Sequence, residues 1–182
     1  MLISIKNIAR QNRIRLPDLL TRPVGRAMYA SAKKKIEQAG PDETVVCDFD
    51  EVQVIDPSFV DEFVIMMLKD SVNGPGSYHM RIRNISKSAE QNIRSVMESY
   101  YEYTNQRFAI ITEDLTSENT YVIGTLTEPE LEVIELIRVN RSVTEKSLAD
   151  SLDITMETGH NILEELVHLR LIKSNENVYS LV

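Results

Sequence analysis

Residues 45–69, VVCDFDEVQVIDPSFVDEFVIMMLK, decide how the chain is read. Val45, Val46 and Cys47 open an apolar, β-branched run, bounded upstream by Gly40 and Pro41, that predicts a buried strand. A second extended piece, Val52 to Ile55, ends at Asp56-Pro57. From Ser58 the apolar residues Phe59, Val60, Phe63, Val64, Met66, Met67 and Leu68 recur at helical spacing. Asp56 suits an N-cap, Pro57 the first helical position, and Asp61 and Glu62 the positive end of the helix dipole. A buried strand thus delivers the chain to a sharply started helix at a sheet edge, where α/β folds tend to build sites.

Upstream, Leu2 to Ile5 alternates apolar and polar and predicts a first strand, followed by a basic connection through Arg15. Thr21 suits an N-cap, with Pro23 in the first turn. Val24, Met28, Ala32 and Ile36 at four-residue spacing predict a helix from Arg22 to Gln38, with Lys33, Lys34 and Lys35 on a solvated face. Downstream, Asn73-Gly74-Pro75-Gly76 signals a turn. His79 to Ile85 reads as a half-exposed strand. Ser86 or Ser88 caps a helix with Ile93, Val96 and Met97 inward. Phe108 to Thr112 is another strand, Glu113 to Thr120 a polar loop, and Tyr121 to Ile123 a hairpin partner. This alternation predicts an α/β fold, a mixed sheet with helices packed on it.

After Gly124 the pattern changes, and a domain boundary is expected there, dividing residues 1–123 from 124–182. Pro129 to Asn140 reads as a helix. Ser142 or Thr144 starts a shorter one (EKSLADSL), and Thr155 to Arg170 makes a third, with Ile162, Leu163, Leu166 and Leu169 inward. Leu171 to Lys173 and Val178 to Leu181 form a terminal hairpin. Three helices and a hairpin follow winged helix-turn-helix order.

Hydrophobic content of 42% and charged content of 26% place the chain among ordinary globular proteins. The start, MLISIKNIARQNR, lacks the apolar run of a secretory signal, and no stretch approaches the roughly 20 apolar residues of a membrane span. A cytoplasmic location without membrane attachment is the expectation. The net charge of −8 is uneven: residues 1–40 balance at +7, residues 41–70 at −8 and residues 124–182 at −6. Partners respond to such local fields more than to the total.

Two resemblances follow from these residues. Thr21-Arg22-Pro23 with Arg26, Cys47-Asp48-Phe49, Val52 and Ser58-Phe59-Val60-Asp61-Glu62 make the first half similar to a STAS-like domain, related to the anti-sigma-factor antagonists. The segment SLADSLDITMETGHNILEELVHLRLI resembles winged-helix domains generally. The first resemblance implies a regulatory protein whose partner is an ATPase-type kinase or an anti-sigma-like regulator, docking on Asp56, Ser58, Phe59, Asp61 and Glu62. In that family a serine directly after the aspartate at this junction is phosphorylated. Here that position is Pro57, so Ser58, one residue later, is the candidate, with the charges of Asp61 and Glu62 opposing a phosphate and the helix start favouring one.

The chemistry of an enzyme finds no constellation. The carboxylates Asp48, Asp50, Glu51, Asp56, Asp61 and Glu62 are of a type that holds Mg²⁺ or Ca²⁺. Capping (Asp56), a tight turn (Asp50, Glu51) and the helix dipole (Asp61, Glu62) account for five of them, so neither metal nor cofactor is expected. An acidic docking face fits better, for a basic partner or for the basic N-terminal helix of a second copy in a homodimer. His79, His160 and His168 lack partners at ligand spacing, and Cys47 reads as an inert buried hydrophobe. Tyr100, Tyr101 and Tyr103 read as core and rim packing. DNA binding is the alternative function, through Thr155, Thr158, Asn161 and Lys173. Against it, the third helix carries no Lys or Arg before Arg170, and the domain lacks phosphate-neutralising charge.

Overall fold

In the computed structural model, which describes residues 1–38, 40, 42–73, 78–115 and 119–182, the predicted central strand is β3 (Thr44–Asp48). Val45 and Cys47 are fully buried while Thr44, Val46 and Asp48 are half-buried, the alternation of a strand with one face on the core. Burial pushes the Cys47 thiol up to about 12, which keeps it an unreactive thiol at neutral pH.

β3 is the second strand of a five-stranded sheet ordered β1 (Leu2–Ser4), β3, β5 (His79–Arg83), β6 (Ala109–Asp114), β7 (Asn119–Gly124). The first four are parallel and β7 returns antiparallel to β6. Ile3, Cys47 and Ile82 stand in register across this mixed sheet. They join Phe49, Phe59 and Phe63 in one core, where each fully buried large side chain contributes about 1.5–3 kcal/mol.

Several connections depart from the sequence-based expectation. The basic stretch after β1 contains a helix, α1 (Ile5–Gln11), capped by Ser4 Oγ accepting from Asn7 N–H and burying Ile5, Ile8 and Ala9 at i, i+3, i+4 spacing. Its chain then forms β2 (Asp18–Leu19), which pairs in parallel with β4 (Val54–Ile55). Helix α2 spans Arg22–Ile36. Thr21 precedes it with a φ of 80° and makes no side-chain cap. The turn at 73–76 lies, from Gly74 on, outside the described residues, and so does the middle of the 113–120 loop. Glu113, Asp114, Asn119 and Thr120 on either side belong to β6 and β7. α5 (Lys87–Thr104) is capped by Ser86, with Ile93 and Met97 buried. Among the tyrosines of its last turns, only Tyr100 packs inward; its ring meets Phe108 edge-on at 5.4 Å, while Tyr101 and Tyr103 are exposed.

The chain divides into two units, Met1–Thr125 and Leu126–Val182. The division falls just past the expected Gly124, because β7 runs to Gly124 and Thr125 N–H still bonds Phe108 O. Gly124 is obligatory there: φ is +148°, and a Cβ would sit 2.4 Å from Phe108 O. The second unit holds α6 (Glu128–Asn140), α7 (Glu145–Leu152) and α8 (Met156–His168) with a three-stranded antiparallel sheet, β8 (Ser142–Thr144), β10 (Val178–Leu181), β9 (Ile172–Asn175) in that order. β8 was not legible as a strand; it consists of the three residues that lead into the Thr144 cap.

Candidate functional site at the helix start

The predicted helix start exists, and its turn is wider than an α-helix. Asp56 caps α3 (Pro57–Phe59), its Oδ1 accepting from Phe59 N–H at 2.7 Å. A π-helical segment, Val60–Ile65, follows before α4 (Met66–Asn73). The wider turn spreads Val60, Phe63, Val64 and Ile65 so that all four bury, and Phe59 stacks on Phe63 at 5.3 Å. Such segments recur at functional positions.

The acidic residues at this start are engaged within the chain. Asp56 Oδ2 accepts from Thr21 N–H at 2.9 Å, tying the strand end to the start of α2. Arg22 donates to both Asp61 and Glu62, and Arg26 binds Glu62 in a two-pronged pair with both contacts at 2.9 Å. Arg26, then Arg22, hold the Glu62 carboxyl down at about 2. The pair therefore stabilises the fold above the ordinary carboxylate range and is lost as pH falls towards 2. Tyr100 donates to Asp61 at 2.6 Å, and burial together with that bond pushes its hydroxyl up to about 12.

This arrangement changes what the five expected docking residues can do. Phe59 is 0% exposed and presents nothing to a partner; its ring lies in the core, stacked on Phe63. Asp61 and Glu62 face their own α2, so the basic N-terminal helix that sequence reading assigned to another copy is supplied by the same chain. Ser58 is half-buried, and its hydroxyl makes no hydrogen bond among the described residues. Asp56 is half-buried and committed to the cap and to Thr21. Leu20 and Val54, which sequence reading missed, are 40% and 38% exposed. The β2–β4 register sets Leu20 level with Asp56 and Val54 two residues back, with exposed Pro57 beyond. No sequence signal marked them, since their adjacency comes from two strands of two residues each whose paired positions, Asp18 with Val54 and Leu19 with Ile55, are far apart in sequence.

In the second unit, Thr155 spends its hydroxyl on the α8 cap, accepting from Thr158 N–H at 3.1 Å. Thr158 and Asn161 are exposed on α8 beside Glu157, Glu164 and Glu165, while Lys173 is exposed on β9. The helix that would enter a DNA groove thus presents acids. His160 meets Glu145 across the α7–α8 pair, Nδ1 to Oε1 at 2.8 Å, and Tyr179 OH donates to the same oxygen at 3.2 Å. The Glu145 bond raises the His160 imidazole above its ordinary value. A raised imidazole favours the fold at low pH, and this contribution fades as pH rises through the folded value. In an NMR titration the His160 midpoint is expected above the ordinary imidazole value, and Glu145→Gln is expected to bring it down; an unmoved midpoint would show that the contact does not form in solution.

Among the described residues no group of three His, Cys, Asp or Glu is placed to hold a metal ion, and no helix is long and apolar enough to cross a membrane. No protein-family model matches the chain, and no curated protein matches it in sequence.

Proposed function

We propose that this chain is a non-enzymatic, cytoplasmic regulatory protein that acts by binding other proteins. Its first unit is read as a STAS-like module that docks an ATPase-type kinase or an anti-sigma-like regulator; its second is read as an acidic winged helix serving protein contact. The observation that carries the reading is the rim formed by Leu20, Val54, Pro57 and Ser58. Exposed Leu20, Val54 and Pro57 lie on the two segments that meet there, beside a Ser58 hydroxyl without a hydrogen bond among the described residues, on a helix start anchored by Asp56 and by the Arg22–Asp61–Glu62–Arg26 cluster. Rigid apolar contacts with a polar rim are what protein interfaces use.

The test uses purified ATPase-fold kinases and anti-sigma-type regulators from the same genome, immobilised and probed with the full chain. Binding is expected, weakened about tenfold or more by Leu20→Asp and by Ser58→Glu, the loss expected at a central interface position. Val54→Asp serves as an independent third variant, and circular dichroism checks that each remains folded. Absence of binding by any candidate at micromolar concentration, or binding indifferent to all three substitutions, rejects the docking face. Mass spectrometry after incubation with kinase and ATP decides whether Ser58 takes phosphate.

A second reading, DNA binding through the second unit, draws on its order of helices and hairpin. The acids on α8 weigh against it. A mobility shift with random duplex at low salt separates the two, since even non-specific affinity registers there.

A further inference from the structure

The second unit carries a surface that the helix-start site does not involve. α6 buries Val133, Ile134 and Ile137, yet its opposite side is also apolar: Leu131 is 49% exposed and Val139 66%. With Leu136 and with Leu152 from the end of α7 they line an open groove of about 480 Å³. A helix that packs on one face only is expected to turn polar residues outward. Here four apolar side chains remain in the groove instead, and such patches mark interaction sites.

The rim identifies the occupant. Glu132 and Glu135 are the charged residues lining the groove. Glu135 is held by Arg138 through bonds of 2.8 and 2.6 Å, which leaves Glu132 without an ion-pair partner among the described residues. An adjoining hollow, sharing Glu132 and Leu152, adds Glu165. A second copy related by a two-fold axis would set this acidic rim against itself. A nucleic acid is repelled by it. We propose that the groove binds an amphipathic helix of a partner protein, one that lays leucine-like residues at i, i+3/i+4 and i+7 onto Leu131, Leu136, Val139 and Leu152 and places Lys or Arg opposite Glu132.

This inference stands apart from the docking face in the first unit. The full chain, immobilised, is used to select from displayed random 16-residue peptides, and the enriched sequences are synthesised and measured by fluorescence polarisation. Apolar residues at helical spacing flanked by Lys or Arg are expected. Their affinity is expected to fall about tenfold with Val139→Asp or Leu131→Asp and about threefold with Glu132→Lys. Both apolar positions are already solvent-exposed, so the variants are expected to fold, and circular dichroism checks this. Leu20→Asp is expected to leave these peptides bound, which keeps the two surfaces distinguishable. Peptides without the apolar–basic pattern, or equal binding by wild type and Val139→Asp, would overturn the proposal. So would sedimentation showing a dimer of the full chain that Val139→Asp dissolves, because the occupant would then be a second copy.

Discussion

Phe59→Ala is expected to lower the stability of the first unit by about 3–5 kcal/mol, the range for deleting a buried aromatic ring. The ring is fully buried, stacks on Phe63 at 5.3 Å, and sits at the junction of α3 with the π-helical segment. Phe63 in turn meets Phe49 edge-on at 6.4 Å, so the vacated space lies at one end of an aromatic line that runs through Phe63 to Phe49, just past β3. Ring truncation here removes transfer free energy and leaves a cavity that a packed sheet and helix can fill only in part. For a unit of this size the loss corresponds to roughly 10–20 °C in Tm. The measurement is thermal unfolding followed by circular dichroism, with partner binding recorded below the lowered Tm. A drop under about 1 kcal/mol would mean the ring is not in the core. Binding lost without any fall in Tm would return Phe59 to the role of a surface contact. A core position and a docking position therefore give opposite patterns.

Gly25→Val is expected to part α2 from the helix start. A Cβ at Gly25 would lie 2.8 Å from Glu62 Cβ and 3.2 Å from Phe59 O, and valine adds two methyl groups beyond it. Replacing glycine inside a helix normally stabilises by up to about 1 kcal/mol. Overpacking against backbone opposes that gain with about 1–3 kcal/mol or more, and the clash prevails because Phe59 O cannot rotate away. The same displacement withdraws Arg22 and Arg26 from Glu62. Two readouts should therefore move together: Tm falls, and the Glu62 titration midpoint climbs from about 2 towards the ordinary carboxylate range. A stable variant whose Glu62 still titrates near 2 would contradict the close approach. Arg26→Ala separates the effects, since it raises the midpoint while leaving the backbone contact untouched.

The chain's elements were legible to different degrees, for physical reasons. β3 was read nearly to its ends because its apolar, β-branched run is bounded by turn residues, and α5, α6 and α8 because each carries a long periodic pattern and a capping residue whose effect is local. Asp56 and Pro57 were assigned correctly for the same reason. α1 was missed because its pattern is only seven residues long and lies under a run of basic side chains. β2 and β8 have two or three residues each, and pairing rather than propensity makes them strands, whereas β4 falls within the extended piece read at Val52 to Ile55. The π-turn has no sequence period of its own to find. His160 was read as lacking a partner because Glu145 is 15 positions away, brought close only by the packing of α7 on α8.

By itself the sequence determined the alternation of strands and helices, the sharp helix start at Asp56, the change of pattern near Gly124 and the uneven charge. These are set by side-chain periodicity and caps that act within a few residues. Only the tertiary structure decided what the acids of the helix start contact. Asp61 and Glu62 were free to face solvent, a metal or another copy until α2 was packed across them, and Gly25 is what lets it pack so closely. That contact closes over about 40 residues of chain. Once Arg22 and Arg26 take up the carboxylates, the exposed side chains at this start include Leu20, Val54 and Pro57, brought together from two segments distant in sequence.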